Sequence, residues 1–296
     1  MWPQALWKRA LIILILLGLG IAGKGIYEAR QLGFMRMPSY DDTPPILPTL
    51  DSPSVLVFSK TGSFIHREAI PAAETAITAL IEASGGSVFI TENGAVHNAE
   101  QLTQFDVVVW NNVTGNVLTE TQQAALKTYI SEGGGWLGIH GSGDSSGDWA
   151  WQNEVLIGAH FIGHPMEPQF QEAEVTVQTE SAITAHLPRP WRRVDEWYSF
   201  ATPPQQDNVD ILLNLEETTY VPGEFFGQAL AMGSSHPIAW RHEVGAGRVF
   251  YTAMGHTAET FSEPEFLELL AKAISWSAGQ QPEALNLDAL DECSDC

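Results

Sequence analysis

Residues 133–140, Gly-Gly-Gly-Trp-Leu-Gly-Ile-His, constrain the fold more than any other part of the chain. Apolar Ala125, Leu126, Tyr129 and Ile130 recur at helical spacing before them, which predicts a helix over 119–132. Three glycines then stop it, because a left-handed C-cap costs glycine least. Trp136 to Ile139 is too short and too apolar for anything but a buried strand. His140 follows that strand directly and precedes Gly141-Ser142-Gly143. In open α/β sheets, ligand crevices lie at the carboxyl ends of strands, so a histidine stands where chemistry is expected.

The same alternation runs through the chain. Buried strands are predicted at 54–58, 88–90, 105–110 and 248–254, with helices over 69–84 and 264–278. This spacing indicates an α/β fold with a mostly parallel sheet wrapped on both faces. The middle is less regular: 149–157 reads as helical, 173–179 alternates like an exposed strand, and 209–215 and 237–242 read as strands. Gly245-Ala246-Gly247 is explained by a β-turn before the 248–254 strand. There is neither an internal repeat nor a second core, so 54–279 is one domain with an inserted middle. Five prolines among polar residues mark 37–53 as a linker, and 280–296 reads as an acidic tail.

The first 36 residues read as a membrane signal. Lys8 and Arg9 precede an apolar run over 10–23, flanked by Trp7 and Tyr27 as interfacial aromatics. An uncleaved N-terminal membrane helix leaves the domain extracytoplasmic, periplasmic in a Gram-negative cell. Cleavage after Ala22, at a small-x-small site, would secrete it instead. From residue 51 onward, 9 basic and 33 acidic side chains leave a charge of −24, which repels phosphate backbones and argues against nucleic acid as a partner. The two cysteines, Cys293 and Cys296, are too far along the chain to supply a nucleophile on a core strand. They suit a local disulfide or weak metal binding.

His66, His140 and His256 each fall just past the carboxyl end of a predicted parallel strand, so the three imidazoles can converge on one sheet edge. Asp195-Glu196-Trp197-Tyr198 adds carboxylates in an aromatic setting. Two chemistries suit this set. His66, His140 and His256 can bind one divalent transition metal, or His140, His66 and Glu196 can act as metal-free acid–base catalysts. Asn111, Asp195, Trp197 and Trp240 are the expected substrate-binding residues, and Trp110, Trp149 and Trp151 are further stacking platforms. His97, His186 and His242 read as surface or structural. His160 and His164 have the i, i+4 spacing of a metal pair, but Gly163-His164-Pro165 breaks a helix there.

With these motifs in hand, the chain resembles the ThuA-like (trehalose utilisation) family over roughly 54–279. The matching segments are Phe64-Ile65-His66-Arg67-Glu68, Phe105 to Val109, Gly133 to His140, Gly158-Ala159-His160-Phe161 with His164-Pro165, Asp195 to Tyr198, His236 to Trp240, and Gly247 to Tyr251 with Gly255-His256. The resemblance implies a flavodoxin-like three-layer α/β/α sandwich, as in class I glutamine amidotransferases. Those enzymes carry a nucleophilic cysteine at the position of His140, so glutaminase chemistry is not open to this chain. The resemblance further implies metabolism of sugars or keto-sugars.

Two functions follow. The first is an extracytoplasmic enzyme on a small-molecule sugar or keto-sugar, of hydrolase, lyase or isomerase type. The second is a non-catalytic carbohydrate-binding or partner-docking module held at the membrane.

Overall fold

The computed structural model describes residues 36–204 and 208–281, together with Gly18, residues 23–27, Arg30 and Gly33. Among the described residues no helix is long and apolar enough to cross a membrane. Most of the apolar run 10–23, and both cysteines, lie outside the described residues.

The chain alternates as its hydrophobic pattern requires. The first half comprises β1 (Ser54–Phe58), α1 (Ala69–Ala83), β2 (Ser87–Thr91), α2 (Ala99–Leu102), β3 (Val107–Asn111), α3 (Glu120–Ser131) and β4 (Gly135–Ile139). Thr119 and Gln122 cap α3 reciprocally, and Gly133 ends its C-terminal turn at φ 123°. The second half comprises β5 (Phe161–Gly163), β6 (Phe170–Val177), β7 (Trp191–Glu196), β8 (Ser199–Phe200), β9 (Asp210–Glu216), β10 (Glu224–Phe225), β11 (Gln228–Ala229), β12 (Pro237–Val244), β13 (Gly247–Thr252) and α4 (Pro264–Ser277).

Nine strands form one sheet in the order β2-β1-β3-β4-β13-β12-β9-β6-β7. The pairings from β2 through β13 are parallel, in flavodoxin-like order. β1, β3 and β4 are buried along their whole length, as strands covered on both faces must be. β1 crosses to β2 in one direction and β3 to β4 in the other. Right-handed crossovers therefore put α1 and α3 on opposite faces. α4 packs on α1 and on β4 and β13, completing the first helical layer. The inserted middle supplies β6, β7 and β9, which extend the sheet antiparallel beyond β12.

Two expectations are refined. Within the segment 149–157 residues 150–157 are helical, and Gln152–Ile157 form a π-helix. The proline-rich segment 37–53 has no regular structure, yet it is laid along the domain rather than hanging free. Asp41 accepts a hydrogen bond from the Gly94 amide and pairs with Lys60, while Gln101 and Gln122 donate to the carbonyls of Pro45 and Asp41.

His97 is a structural group of this core. It is fully buried, its Nδ1 donates to the Gly94 carbonyl at 3.2 Å, and its Nε2 accepts from Trp110 Nε1 at 3.2 Å. Burial lowers its pKa to about 3, so it stays neutral in the fold. Between that value and the ordinary histidine value the unfolded chain binds the extra proton, so acidification removes stability. From pH 6.5 to pH 5 the loss from this residue should be about 2 kcal/mol. Urea unfolding at both pH values should show His97→Gln, which keeps an acceptor for Trp110, losing correspondingly less stability than the parent.

Candidate active site

His140 is the residue on which the site is built. It opens the short 3-10 turn His140–Gly143 after β4 and adopts φ 43°, a left-handed conformation that a non-glycine residue holds only when its surroundings enforce it. Three contacts do so. Tyr251 Oη donates to the His140 carbonyl at 2.8 Å, His140 Nδ1 donates to the Ala253 carbonyl at 2.6 Å, and the Tyr198 ring lies 4.1 Å from the imidazole. Because Nδ1 faces a carbonyl, it carries a proton. Nε2 faces Glu196 Oε2 at 3.3 Å and His256 Nδ1 at 3.0 Å.

Glu196, at the end of β7, is almost wholly buried and gathers the other groups. His256 Nδ1 lies 3.0 Å from its Oε2, His164 Nδ1 lies 3.1 Å from its Oε1, and Gln169 donates to Oε1 as well. Burial alone would raise its pKa. Hydrogen bonds and charge from His140 and His256 outweigh that and hold it well below the ordinary glutamate value. His66 closes the group from the loop after β1, its ring 4.9 Å from His140 and 4.7 Å from His256. Gly141 permits this approach, since a Cβ there would lie 2.8 Å from the His66 ring. Burial, followed by the neighbouring His140 and His256, pushes the pKa of His66 well down, so it is neutral. Its Nδ1 is buried and has no hydrogen-bond partner.

His66, His140, Glu196 and His256 each offer one ligand atom, and these atoms lie within 4.8 Å of one another. Three neutral-capable imidazoles and one carboxylate are the donor set of a divalent transition metal, and the orphaned His66 Nδ1 is the kind of atom such an ion satisfies. The four residues come from the loops after β1, β4 and β13 and from the end of β7. His66, Glu196 and His256 line a cavity of about 710 Å³, also lined by Asp144, His164, Tyr198 and several phenylalanines, with His140 buried behind them.

The expected substrate-binding residues do not line this cavity. Trp197 and Trp240 are core, donating to the carbonyls of Gln171 and Ile157 at 2.8 Å each. Trp110 is likewise buried, and Trp149 and Trp151 pack on each other away from the site. Asn111 is fully buried and donates to Ser59 and to the Ile70 carbonyl. Asp195 is a structural anchor. Its Oδ1 accepts from the amides of Glu196 and His256, its Oδ2 accepts from the Gly255 amide, and Arg193 lies 3.2 Å away. Alternation on β7 explains the exchange: Glu196 enters the site, so its neighbours cannot share its face.

Other residues of the site escape a reading of spacing alone. His164 follows a strand, β5, rather than sitting on a helix with His160. Its Nδ1 faces Glu196 Oε1 and the Pro165 carbonyl, both acceptors, so Nε2 is its unprotonated nitrogen. Asp144 lies four residues after His140 on the turn that the glycine-rich segment had already marked. Its Oδ1 accepts from Ser146, and burial, reinforced by Glu196, raises its pKa to about 7. His97, His186 and His242 are held by backbone carbonyls away from the site, as expected of structural histidines.

Arg193 is buried between the rings of Trp191 and Phe266, at 5.0 and 4.9 Å, and also pairs with Glu263 at 3.1 Å. Removing one partner of a buried pair strands the other charge. Arg193→Met should therefore lower unfolding free energy by about 3–5 kcal/mol in urea titrations.

The comparisons agree with this architecture. A ThuA-like protein of Bacteroides uniformis shares 23% identity and a TM-score of 0.63, over 81% of this chain and 99% of that one. A ThuA-like protein of Parabacteroides merdae shares 15% identity and a TM-score of 0.57, over 77% and 91%. No curated protein matches the chain. The family model described as "ThuA: Trehalose utilisation" matches residues 54–277, and the chain therefore belongs to the ThuA family.

Proposed function

We propose that this protein is an extracytoplasmic, membrane-tethered enzyme of sugar or keto-sugar metabolism, working by proton transfer at a metal-binding histidine–glutamate centre. The observation that carries the reading is the convergence of His66, His140, Glu196 and His256, three of which line a cavity large enough for a small-molecule substrate. Lys8 and Arg9 ahead of the apolar run support the tether and the orientation. A bound divalent metal would supply Lewis-acid polarisation of a substrate carbonyl.

The chain's own residues supply the proton steps. His164 is kept neutral by burial, which lowers its pKa despite the nearby Glu196, and its Nε2 is free to accept a proton beside a carbonyl. Asp144, protonated up to about pH 7, donates a proton to a departing oxygen. In a keto-glycoside this pair would break a C–H bond on one side and a C–O bond on the other. The C–H electrons form the new double bond, and the leaving oxygen takes the proton of Asp144. Gln169 and His164 orient Glu196, and Tyr198 holds the plane of His140.

Elemental mass spectrometry on the full chain, purified without a polyhistidine tag, should find about one equivalent of transition metal per chain. His140→Ala and His256→Ala should lose it while retaining the far-UV spectrum. A chain that takes up no zinc, manganese, nickel or iron would remove the metal from the proposal. Saturable sugar binding without product, unaffected by His140→Ala, would favour the non-catalytic binding module instead.

Asp144 gives a pH signature. A raised carboxyl pKa means a proton donor that is competent below about pH 7 and lost above it. Its side-chain ¹³C resonance should titrate near that value, and turnover should fall as pH rises through it. Asp144→Asn should abolish the titration and lower turnover by about 10²–10⁴-fold.

A further inference from the structure

The cavity's lining combines two chemistries: histidines with Glu196, and an apolar wall of Phe161, Met166, Phe170, Phe225 and Phe226. Phenylalanine and methionine offer neither donors nor strong acceptors, so this wall does nothing for sugar hydroxyls.

Phe226 is the informative member. It occupies the two-residue turn between β10 and β11 at φ 49°, followed by Gly227 at φ 82°. Both central positions of such a hairpin require positive φ, which asparagine and glycine tolerate and a bulky residue does not. The ring is also 96% exposed. Neither turn chemistry nor packing accounts for a phenylalanine here. Phe225 ties the hairpin to the site: its ring lies 4.6 Å from Phe226 and 5.4 Å from His164. Of the other lining residues, Phe170 is 42% exposed with its ring 5.1 Å from His256, and Met166 is 51% exposed. Apolar side chains this open, converging on one cavity mouth, indicate a ligand surface.

We infer that the Phe170–Met166–Phe225–Phe226 wall is a subsite for an aromatic ring, and that the substrate is a glycoside whose aglycone is aromatic. The glycoside half rests on the sugar reading proposed above; the ring subsite rests on the wall itself. The sugar carbonyl or glycosidic oxygen lies toward His164 and Asp144, and the ring stacks under the hairpin. A cavity of about 710 Å³ has room for both parts.

The test is calorimetric binding to the full chain of phenyl and methyl D-glucopyranosides, both anomers, with phenol as the ring alone. Phenyl glucoside should bind about tenfold more tightly than methyl glucoside. Phe226→Ala and Phe170→Ala should erase that difference and leave methyl glucoside binding unchanged. The exposure of Phe226 makes its loss harmless to folding, checked by an unchanged melting temperature. Ile46→Ala, an exposed apolar residue on the leading segment, should change nothing. Equal binding of the phenyl and methyl compounds would overturn the subsite and leave the sugar reading standing. Binding of phenol that depends on Phe226, with no gain from an attached glucose, would keep the ring subsite and overturn the glycoside. No binding by any of the probes would overturn the inference.

Discussion

Asp195 is the tie that the site depends on. It is a buried carboxylate whose two oxygens accept from the amides of Glu196, Gly255 and His256, and its charge is balanced by Arg193. β7 and β13 lie in different halves of the sheet, with three strands between them in hydrogen-bonded order. Without this tie, nothing in the sheet ladder would hold the Glu196 end of β7 against the loop that follows β13. A buried charge demands partners, and backbone amides plus one guanidinium meet that demand with directional bonds. The result is a carboxylate of the antiparallel extension fixed among imidazoles of the parallel core.

His140 shows how the fold places a strained residue and then uses it. The strand-turn that other α/β folds use to present a nucleophile presents an imidazole here. Its carbonyl, its Nδ1 and its ring face are each engaged, and its Nε2 is aimed at Glu196 and His256. The cluster's centre is thus ringed by imidazole nitrogens and a carboxylate. Such an arrangement favours a cation, a shared proton, or both in turn.

The parallel half of the sheet was legible because its strands are short, wholly apolar and separated by helices with clear stops. The periodicity of β1, β3 and β4 admits only a buried central position. In the inserted middle β6, β9 and β12 were legible as strands and β7 was not, and their place in the same sheet was not legible either, since register between β9 and β12 is set by long-range pairing. His66, His140, His256 and Glu196 were readable from position after strands and from an acidic–aromatic run. Trp197 and Trp240 were misread as platforms because a tryptophan's composition does not say which face of a strand it takes. The structure seats both in the core with their indole nitrogens bonded.

By itself the sequence determined the α/β class, the placement of histidines at strand ends, the lack of any cysteine within 54–279 and the family to which the chain belongs. These are properties of local pattern: apolar period, glycine stops and residue type at fixed offsets. Tertiary structure decided that Glu196 closes the cluster, that Asp195 ties it rather than binds ligand, and that His164 and Asp144 face the cavity. It also decided that the apolar wall is built of phenylalanine and methionine, two of the rings on a hairpin, rather than of tryptophan. Each of these depends on which distant segments meet and on the side of the backbone each side chain leaves, and neither is encoded in a window of neighbouring residues.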